Sequence, residues 1–184
     1  MALTESTMIE LGTKAPDFSL IDVIDGKIKS IAEMKGERAT LIFFTCNHCP
    51  YVIHIMEKLV EISEKYLPSA VNFIAINSND IEKYPDDAPD KMISFSSYYN
   101  FSFPYLFDET QIVARSYQAA CTPDFYLFDN QMILQYRGRF CSSRPKTDIP
   151  VTGLDLQLAI DAVLDKRKPT EKQYPSAGCN IKWK

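Results

Sequence analysis

The chain has 184 residues, of which 46% are hydrophobic and 24% are charged, the size and balance of one globular domain. Its formal net charge of -4 argues against nucleic acid or an anionic membrane as the main partner, because no basic cluster offsets the acidity. No stretch approaches the roughly 18 apolar residues of a membrane span, and the N-terminal residues lack the apolar run of a signal peptide. We therefore expect a cytoplasmic protein that binds neither nucleic acid nor membranes.

The first half of the sequence predicts a hairpin followed by a βαβ unit. Two short apolar-bearing runs within residues 17–31 flank Asp25-Gly26, which is a strong turn signal. Residues 39–45, ATLIFFT, form the continuous apolar run of a central strand buried on both faces. Apolar residues at helical spacing then predict a helix that ends at about Tyr66. Residues 70–78 predict a second buried strand, which we expect to be parallel to the first.

The next stretch predicts a second helix, a short strand and another hairpin. Pro89 is well placed to open a helix that ends near Asn100. Residues 103–109 predict a short strand, and residues 112–117 predict a short helix. The runs DFYLFD and MILQYRG flank Asn130 in the manner of an antiparallel hairpin.

The C-terminal part predicts one more helix and then a segment without periodicity. Thr152 with Asp155 resembles a capping box, which predicts the start of an amphipathic helix. We divide the chain into a single domain, residues 1–168, and a tail, residues 169–184. The sequence leaves open whether that tail is docked on the domain or mobile.

One short motif carries most of the chemistry. FFTCNHCPYV places Cys46 and Cys49 three positions apart with His48 between them. We expect Cys46 where the buried strand ends and Cys49 one turn into the following helix. Cysteines at a helix N-terminus have pKa values lowered from about 8.5 to roughly 3.5–7.5, because unpaired N–H groups stabilise the thiolate. We interpret the pair as a reversible dithiol, in which a protonated His48 favours the Cys46 thiolate.

A metal site is the alternative from a different class. Cys46, Cys49 and His48 are donors that zinc and copper accept, but a structural zinc site usually takes four ligands from two such pairs. This chain has only one pair, since its other cysteines are single, at positions 121, 141 and 179. We therefore predict a dithiol without metal or other cofactor, and keep the metal-binding module as the second hypothesis.

Later in the chain, Thr122-Pro123 stands in the stretch CTPDFYLF. A CxxC motif followed by such a pair resembles the thioredoxin fold, in which this proline is cis and faces the two cysteines. The stretches GTKAPDFSL and FPYLFDE extend the resemblance to the peroxiredoxin/TlpA-like branch, the AhpC/TSA superfamily. Within that branch, CNHCPYV, AINSND, ACTPDFYLFD and GCNIKWK resemble a bacterial peroxiredoxin-like group that carries CNHCP.

The resemblance implies a thioredoxin-like α/β fold of the peroxiredoxin/TlpA-like variant. We expect a central mixed β-sheet flanked by helices, with an N-terminal β-hairpin. It also implies an enzyme, a thiol–disulfide oxidoreductase with a role in antioxidant defence or redox homeostasis. Its partners would be protein or small-molecule disulfides and thiols, together with a thiol reductant.

The same resemblance suggests a role for each site residue. Cys46 would attack a substrate disulfide and Cys49 would resolve the mixed disulfide. Cys121, close to Pro123 in the sequence, and Cys179, if the tail folds back, are candidate auxiliary thiols. The predicted lining of the substrate groove is Thr45, Pro50, Thr122 and Pro123.

Two departures from the relatives limit what the resemblance implies. Peroxiredoxins share the pattern Pro-x-x-x-Thr-x-x-Cys, and neither Cys46, Cys49 nor Cys121 is preceded by it, so an unconventional peroxidase is only our third hypothesis. Thr40 stands where thioredoxins have a buried aspartate that assists proton transfer. The sequence therefore leaves the proton-transfer group unassigned.

Overall fold

A computed structural model describes residues 3–184 of the chain. The strands of that part are β1 (Leu3–Glu5), β2 (Ser19–Asp22), β3 (Ile28–Ser30), β4 (Ala39–Phe44), β5 (Val71–Asn77), β6 (Tyr105–Phe107), β7 (Cys121–Thr122), β8 (Asp124–Asp129), β9 (Leu134–Gly138) and β10 (Ala177–Asn180). The helices are α1 (Ile31–Met34), α2 (Pro50–Tyr66), α3 (Pro89–Tyr98), α4 (Ile112–Ser116) and α5 (Leu154–Leu164).

Seven of these strands form one mixed sheet, which we call the large sheet. Its order is β3-β2-β6-β5-β4-β8-β9, with β4 parallel to β5, β5 parallel to β6 and the remaining pairs antiparallel. The expected N-terminal hairpin is β2 and β3, and the expected βαβ unit is β4, α2 and β5. The predicted fold class, a mixed sheet flanked by helices, is confirmed.

The centre of the large sheet is buried on both faces because every residue of β4 is apolar except one threonine. Successive side chains of a strand point to opposite faces. Leu41 and Phe43 therefore pack into one hydrophobic cluster with residues of α2 and α5, and Ile42 and Phe44 pack into a second with residues of α1 and α4. Both apolar layers fix the position of the loop that follows β4.

Three short strands form a separate sheet, which we call the small sheet. Its order is β1-β10-β7, and both pairs are antiparallel. The C-terminal tail enters it through β10, and Ile181 just beyond is buried in the core. The tail is therefore docked, the first of the two alternatives that the sequence left open. The division of the chain at residue 168 stays a prediction.

The start of α5 differs from the expected capping box. Its N-cap is Gly153, with φ 64°, and Thr152 Oγ1 accepts a hydrogen bond from the Leu154 N–H at 3.2 Å from the position before the N-cap. A Cβ at Gly153 would lie 2.4 Å from Ile62 Cδ1, so the close packing of α2 leaves room only for glycine. Asp155 accepts a hydrogen bond from Arg139 Nε at 2.7 Å instead. Between residues 3 and 184, no helix has both the length and the apolar character needed to cross a membrane.

Candidate active site

The loop between β4 and α2 presents both cysteines of the motif. Cys49 is the N-cap of α2 and Pro50 is its first residue, so Cys49 does not lie one turn inside the helix as the sequence suggested. The reason is Pro50, which has no N–H to donate and fits the first helical position best. The backbone N–H groups of Val52 and Ile53 both donate to Cys49 O, each at 3.0 Å. Cys49 therefore begins α2, and Cys46 lies outside the helix, in the loop before it.

Thr122 contacts both sulfurs from the opposite side. Its Oγ1 lies 3.3 Å from Cys46 Sγ, and its carbonyl oxygen lies 3.2 Å from Cys49 Sγ. The peptide bond between Thr122 and Pro123 is cis. The sequence placed this pair beside the CxxC motif, and the two segments meet although 73 residues separate Cys49 from Thr122.

A third sulfur completes the cluster. Cys179 pairs with Thr122 across β10 and β7, and its Sγ lies 2.9 Å from Cys49 Sγ. The backbone of Gly178 packs so tightly on β7 that a Cβ there would lie 2.0 Å from Thr122 O. Cys46, Cys49 and Cys179 are all buried. The structure thus brings together the CxxC pair and one of the two candidate auxiliary thiols.

In the reduced pair, the pKa values of the two thiols differ from our expectation. Cys46 and Cys49 are hydrogen-bonded to each other, which raises the pKa of Cys46 well above its ordinary value and lowers the pKa of Cys49 to about 5. Burial and the nearby Asp87 carboxylate raise the pKa of Cys46 further. The sequence placed the thiolate on Cys46. The hydrogen bond with Cys46, followed by those from Cys179 and the Val52 N–H, favours the thiolate on Cys49 instead.

His48 is held by a carboxylate that sequence reasoning missed. Its Nδ1 lies 2.9 Å from Asp87 Oδ2, and Asp87 is completely buried. This contact raises the pKa of His48, against the opposing effect of burial. Asp87 also accepts hydrogen bonds from the Asn47 backbone N–H at 2.8 Å and from Asn79 Nδ2 at 2.7 Å. Asp87 follows a polar stretch in a loop, and no spacing in the sequence connects it to the motif 38 residues earlier.

The arrangement changes the donor set of the metal hypothesis. Sγ of Cys46, a ring nitrogen of His48 and a carboxylate oxygen of Asp87 lie within 4.8 Å of one another. This set contains Asp87 instead of Cys49, the second sulfur that the sequence proposed. A site with one sulfur, one imidazole and one carboxylate lacks the four ligands of a structural zinc site.

The four predicted groove residues do not form an open groove. Thr45 is fully buried, with its N–H bonded to Ile76 O at 2.8 Å, and its place in the groove stays a prediction. Thr122 and Pro123 are also buried, and β10 occupies the edge of Thr122. Only Pro50 is exposed. The groove residues are therefore closed in this structure, and the protein's own tail takes the place predicted for an extended peptide.

Cys121, the other candidate auxiliary thiol, is turned toward its own loop. Its Sγ donates to Pro123 O at 3.6 Å. Burial raises its pKa, and the neighbouring Asp124 carboxylate adds to the effect. This environment is typical of a cysteine that packs as a small buried side chain.

The sequence resembles those of known proteins. A family model described as the AhpC/TSA family matches residues 11–137, a range that contains Cys46, Cys49 and Thr122. The thiol-disulfide oxidoreductase ResA of Geobacillus thermodenitrificans is 27% identical over 132 residues, which cover 68% of this chain and 67% of that protein.

Two solved structures resemble the whole chain. An uncharacterized conserved protein of Geobacillus kaustophilus is 50% identical with a TM-score of 0.98, over 100% of this chain and 97% of the other. A hypothetical protein of Sinorhizobium meliloti is 42% identical with a TM-score of 0.96, over 98% of each chain. Both likenesses extend into the C-terminal tail, which the family match does not reach.

Proposed function

The chain belongs to the AhpC/TSA family, and we propose that it acts as a thiol–disulfide oxidoreductase whose redox couple is Cys46 and Cys49. The observation that carries this proposal is the placing of both cysteines at the start of α2, where Thr122 lies 3.3 Å from Cys46 Sγ and 3.2 Å from Cys49 Sγ. A pKa of about 5 makes Cys49 a thiolate at neutral pH, so it can take the proton of Cys46 as Cys46 attacks a disulfide. The similarity to ResA supports the same reaction class.

In the first step, Cys46 attacks one sulfur of a substrate disulfide. Its proton passes along the hydrogen bond to Cys49, and the other substrate sulfur leaves as a thiolate that takes a proton from water. The protonated Cys49 can then donate to Thr122 O, 3.2 Å away. Cys49 thus serves as the proton acceptor that the sequence left unassigned.

In the second step, Cys49 attacks the Cys46 sulfur of the mixed disulfide. The bond between Cys46 and the substrate breaks, the substrate sulfur leaves and takes up the proton that Cys49 releases, and the Cys46–Cys49 disulfide forms. The helix N-terminus stabilises Cys49 in the form that this attack requires. A thiol reductant returns the pair to its starting state by the reverse sequence of exchanges.

The partners follow from the burial of the site. Both sulfurs are almost completely covered, so an external disulfide, in a protein or a small molecule, requires that the cover open. An extended peptide would pair with the Thr122 edge that β10 occupies in this structure. This requirement favours substrates that compete with the tail for that edge.

An anaerobic glutathione redox titration tests the proposal. It is done on metal-analysed protein carrying Cys179→Ser, which removes the third sulfur, with alkylation and mass mapping of every cysteine. We expect the free thiols of Cys46 and Cys49 to be oxidised together as one two-electron couple. Cys46→Ser should abolish turnover of oxidised glutathione. Cys141→Ser is the matched control and should titrate in the same way.

Two other results would replace this proposal. If the pair stays reduced throughout and a metal co-purifies in stoichiometric amount, the donor atoms of Cys46, His48 and Asp87 form a metal site. If the protein consumes hydroperoxide and accumulates a sulfenic acid on one cysteine, it is a peroxidase of an unconventional kind.

A further inference from the structure

The dithiol mechanism leaves one buried reactive group unused, the Cys179 thiol. Its sulfur lies 2.9 Å from Cys49 Sγ, although 130 residues separate the two cysteines. Strand pairing fixes the position of Cys179, because β10 is paired on one side with β1 and on the other with β7. Gly178 allows the backbones to approach closely enough, since a Cβ there would clash with Thr122 O at 2.0 Å.

We propose that Cys179 is a third redox thiol of this site, which exchanges with the Cys46–Cys49 disulfide by attacking Cys49. The inference rests on the proposed function, because it requires that disulfide to form. It adds a second disulfide, between Cys49 and Cys179, that links the C-terminal tail covalently to the start of α2.

The exchange is balanced without any further oxidant or reductant. Cys179 loses its proton and its sulfur attacks Cys49 Sγ, forming the Cys49–Cys179 bond. The Cys46–Cys49 bond breaks, and Cys46 leaves as a thiolate that takes up the proton. One disulfide and one thiol are present before and after the step. The product leaves Cys46 as a thiol that is no longer bonded to Cys49.

The charges around Cys179 favour this reaction only after the pair has been oxidised. Burial, followed by the nearby Cys49, raises the pKa of Cys179 to about 12, whereas Lys182 lowers it. In the reduced site the thiolate is on Cys49, so Cys179 keeps its proton. Oxidation removes that negative charge while Lys182 remains, and Lys182 is itself buried. Attack by Cys179 is therefore suppressed in the reduced protein and becomes easier in the oxidised one.

The test is disulfide mapping after oxidation with oxidised glutathione, followed by acid quenching. The wild type should give two intramolecular disulfides, Cys46–Cys49 and Cys49–Cys179, in separate molecules. In Cys46→Ser protein most molecules should carry Cys49–Cys179. Adding Cys179→Ser to that variant should abolish the bond and leave Cys49 glutathionylated instead. Adding Cys141→Ser, the matched control, should leave the bond in place.

The inference is overturned if Cys46→Ser protein becomes glutathionylated on Cys49 while Cys179 can still be alkylated. It is also overturned if wild-type protein, which needs no substitution to fold, yields Cys46–Cys49 as its sole disulfide at every time point. Failure of the proposed function looks different, since Cys179→Ser protein would then form no Cys46–Cys49 disulfide. These results therefore distinguish a failure of this inference from a failure of the proposed function.

Discussion

The large sheet and the small sheet hold the two halves of the sulfur cluster in different ways. The large sheet positions Cys46 and Cys49 through β4, whose six residues are all buried and paired on both edges. The small sheet positions Thr122 and Cys179 through strands of two and four residues. The strand β1 at its outer edge is three residues long and partly exposed.

This difference separates the reactive pair from its cover. Elements with many buried apolar contacts open only with global unfolding, whereas short strands with few such contacts open locally at lower cost. We therefore predict that the pair stays fixed on the large sheet while the short strands of the small sheet open locally. Such opening would give the buried sulfurs a route to their substrates without unfolding of the domain.

The largest effect is expected from damage to the large sheet. Leu41→Ala in β4 removes a completely buried side chain and should lower the free energy of unfolding by about 2–5 kcal/mol, measured by urea denaturation. Ile28→Ala on the edge strand β3, where the side chain is 75% exposed, is the control and should cost less than about 0.5 kcal/mol. Equal losses of unfolding free energy in the two variants would contradict the assignment of β4 as the stable centre of the large sheet.

The next effect concerns Asp124, which begins β8 immediately after the small sheet. Burial raises its pKa to about 7, so between pH 4 and pH 7 the folded protein holds a proton that the unfolded chain has released. Stability then falls as the pH rises, by at most about 1.4 kcal/mol per pH unit. Asp124→Asn should remove this slope, which chemical denaturation at several pH values would measure.

The matched control for that experiment is Asp90→Asn, at an exposed position of α3. It should leave the pH dependence of the wild type unchanged. If Asp124→Asn instead lowered stability equally at every pH, the charge of Asp124 would not be the cause. Its hydrogen bond with Tyr126 OH, 3.0 Å long, would then be the important contribution.

The same contrast explains how far the sequence could predict the molecule. The elements of the large sheet have apolar patterns of strand or helix period, so β4, α2 and both hairpins were predictable from their residues. The small sheet is built from backbone pairing of segments too short to show a period. The docking of β10, and with it the contact between Cys179 and Cys49, has no signal in local sequence.

At the site, the residue types were predictable and their electrostatics were not. The CxxC motif and Thr122-Pro123 identified the segments that meet. α2 begins later than expected, and the hydrogen bond between the two sulfurs, which no sequence pattern shows, favours the thiolate on Cys49 rather than on Cys46. Asp87 was missed because its contact with His48 is tertiary, and the largely exposed polar stretch around it has no pattern that marks one buried carboxylate.

A smaller and local effect is expected from loosening the small sheet. Gly178→Ala would push β10 away from Thr122 O, so the cover should open more often. We expect iodoacetamide to label Cys49 at least about tenfold faster, which corresponds to about 1.4 kcal/mol in the opening equilibrium. The free energy of global unfolding should change less than in Leu41→Ala protein. The control Ala177→Ser, on the same strand at a half-buried position, should label like the wild type.

If Gly178→Ala changed global stability and labelling by the same amount, the two sheets would open together. The tail would then unfold only together with the large sheet and would not open locally over the site. That result would also remove the route by which an extended substrate replaces β10.

The smallest expected effect is on the pKa of His48, which responds to the charge that the tail brings to the site. Asp87 raises the pKa of His48, and Lys182, which lies just beyond β10, lowers it. Asp87→Asn should therefore lower the pKa of His48, and Lys182→Met should raise it, as followed by NMR titration of the imidazole. Since protonated His48 is favoured in the folded state, its contribution to stability is complete at low pH and is lost as the pH rises through its folded pKa. His54, whose Nε2 lies 2.8 Å from Ser143 Oγ, serves as the internal control. An unchanged His48 titration in Lys182→Met protein would mean that the tail acts on the site through its sulfur and its backbone alone.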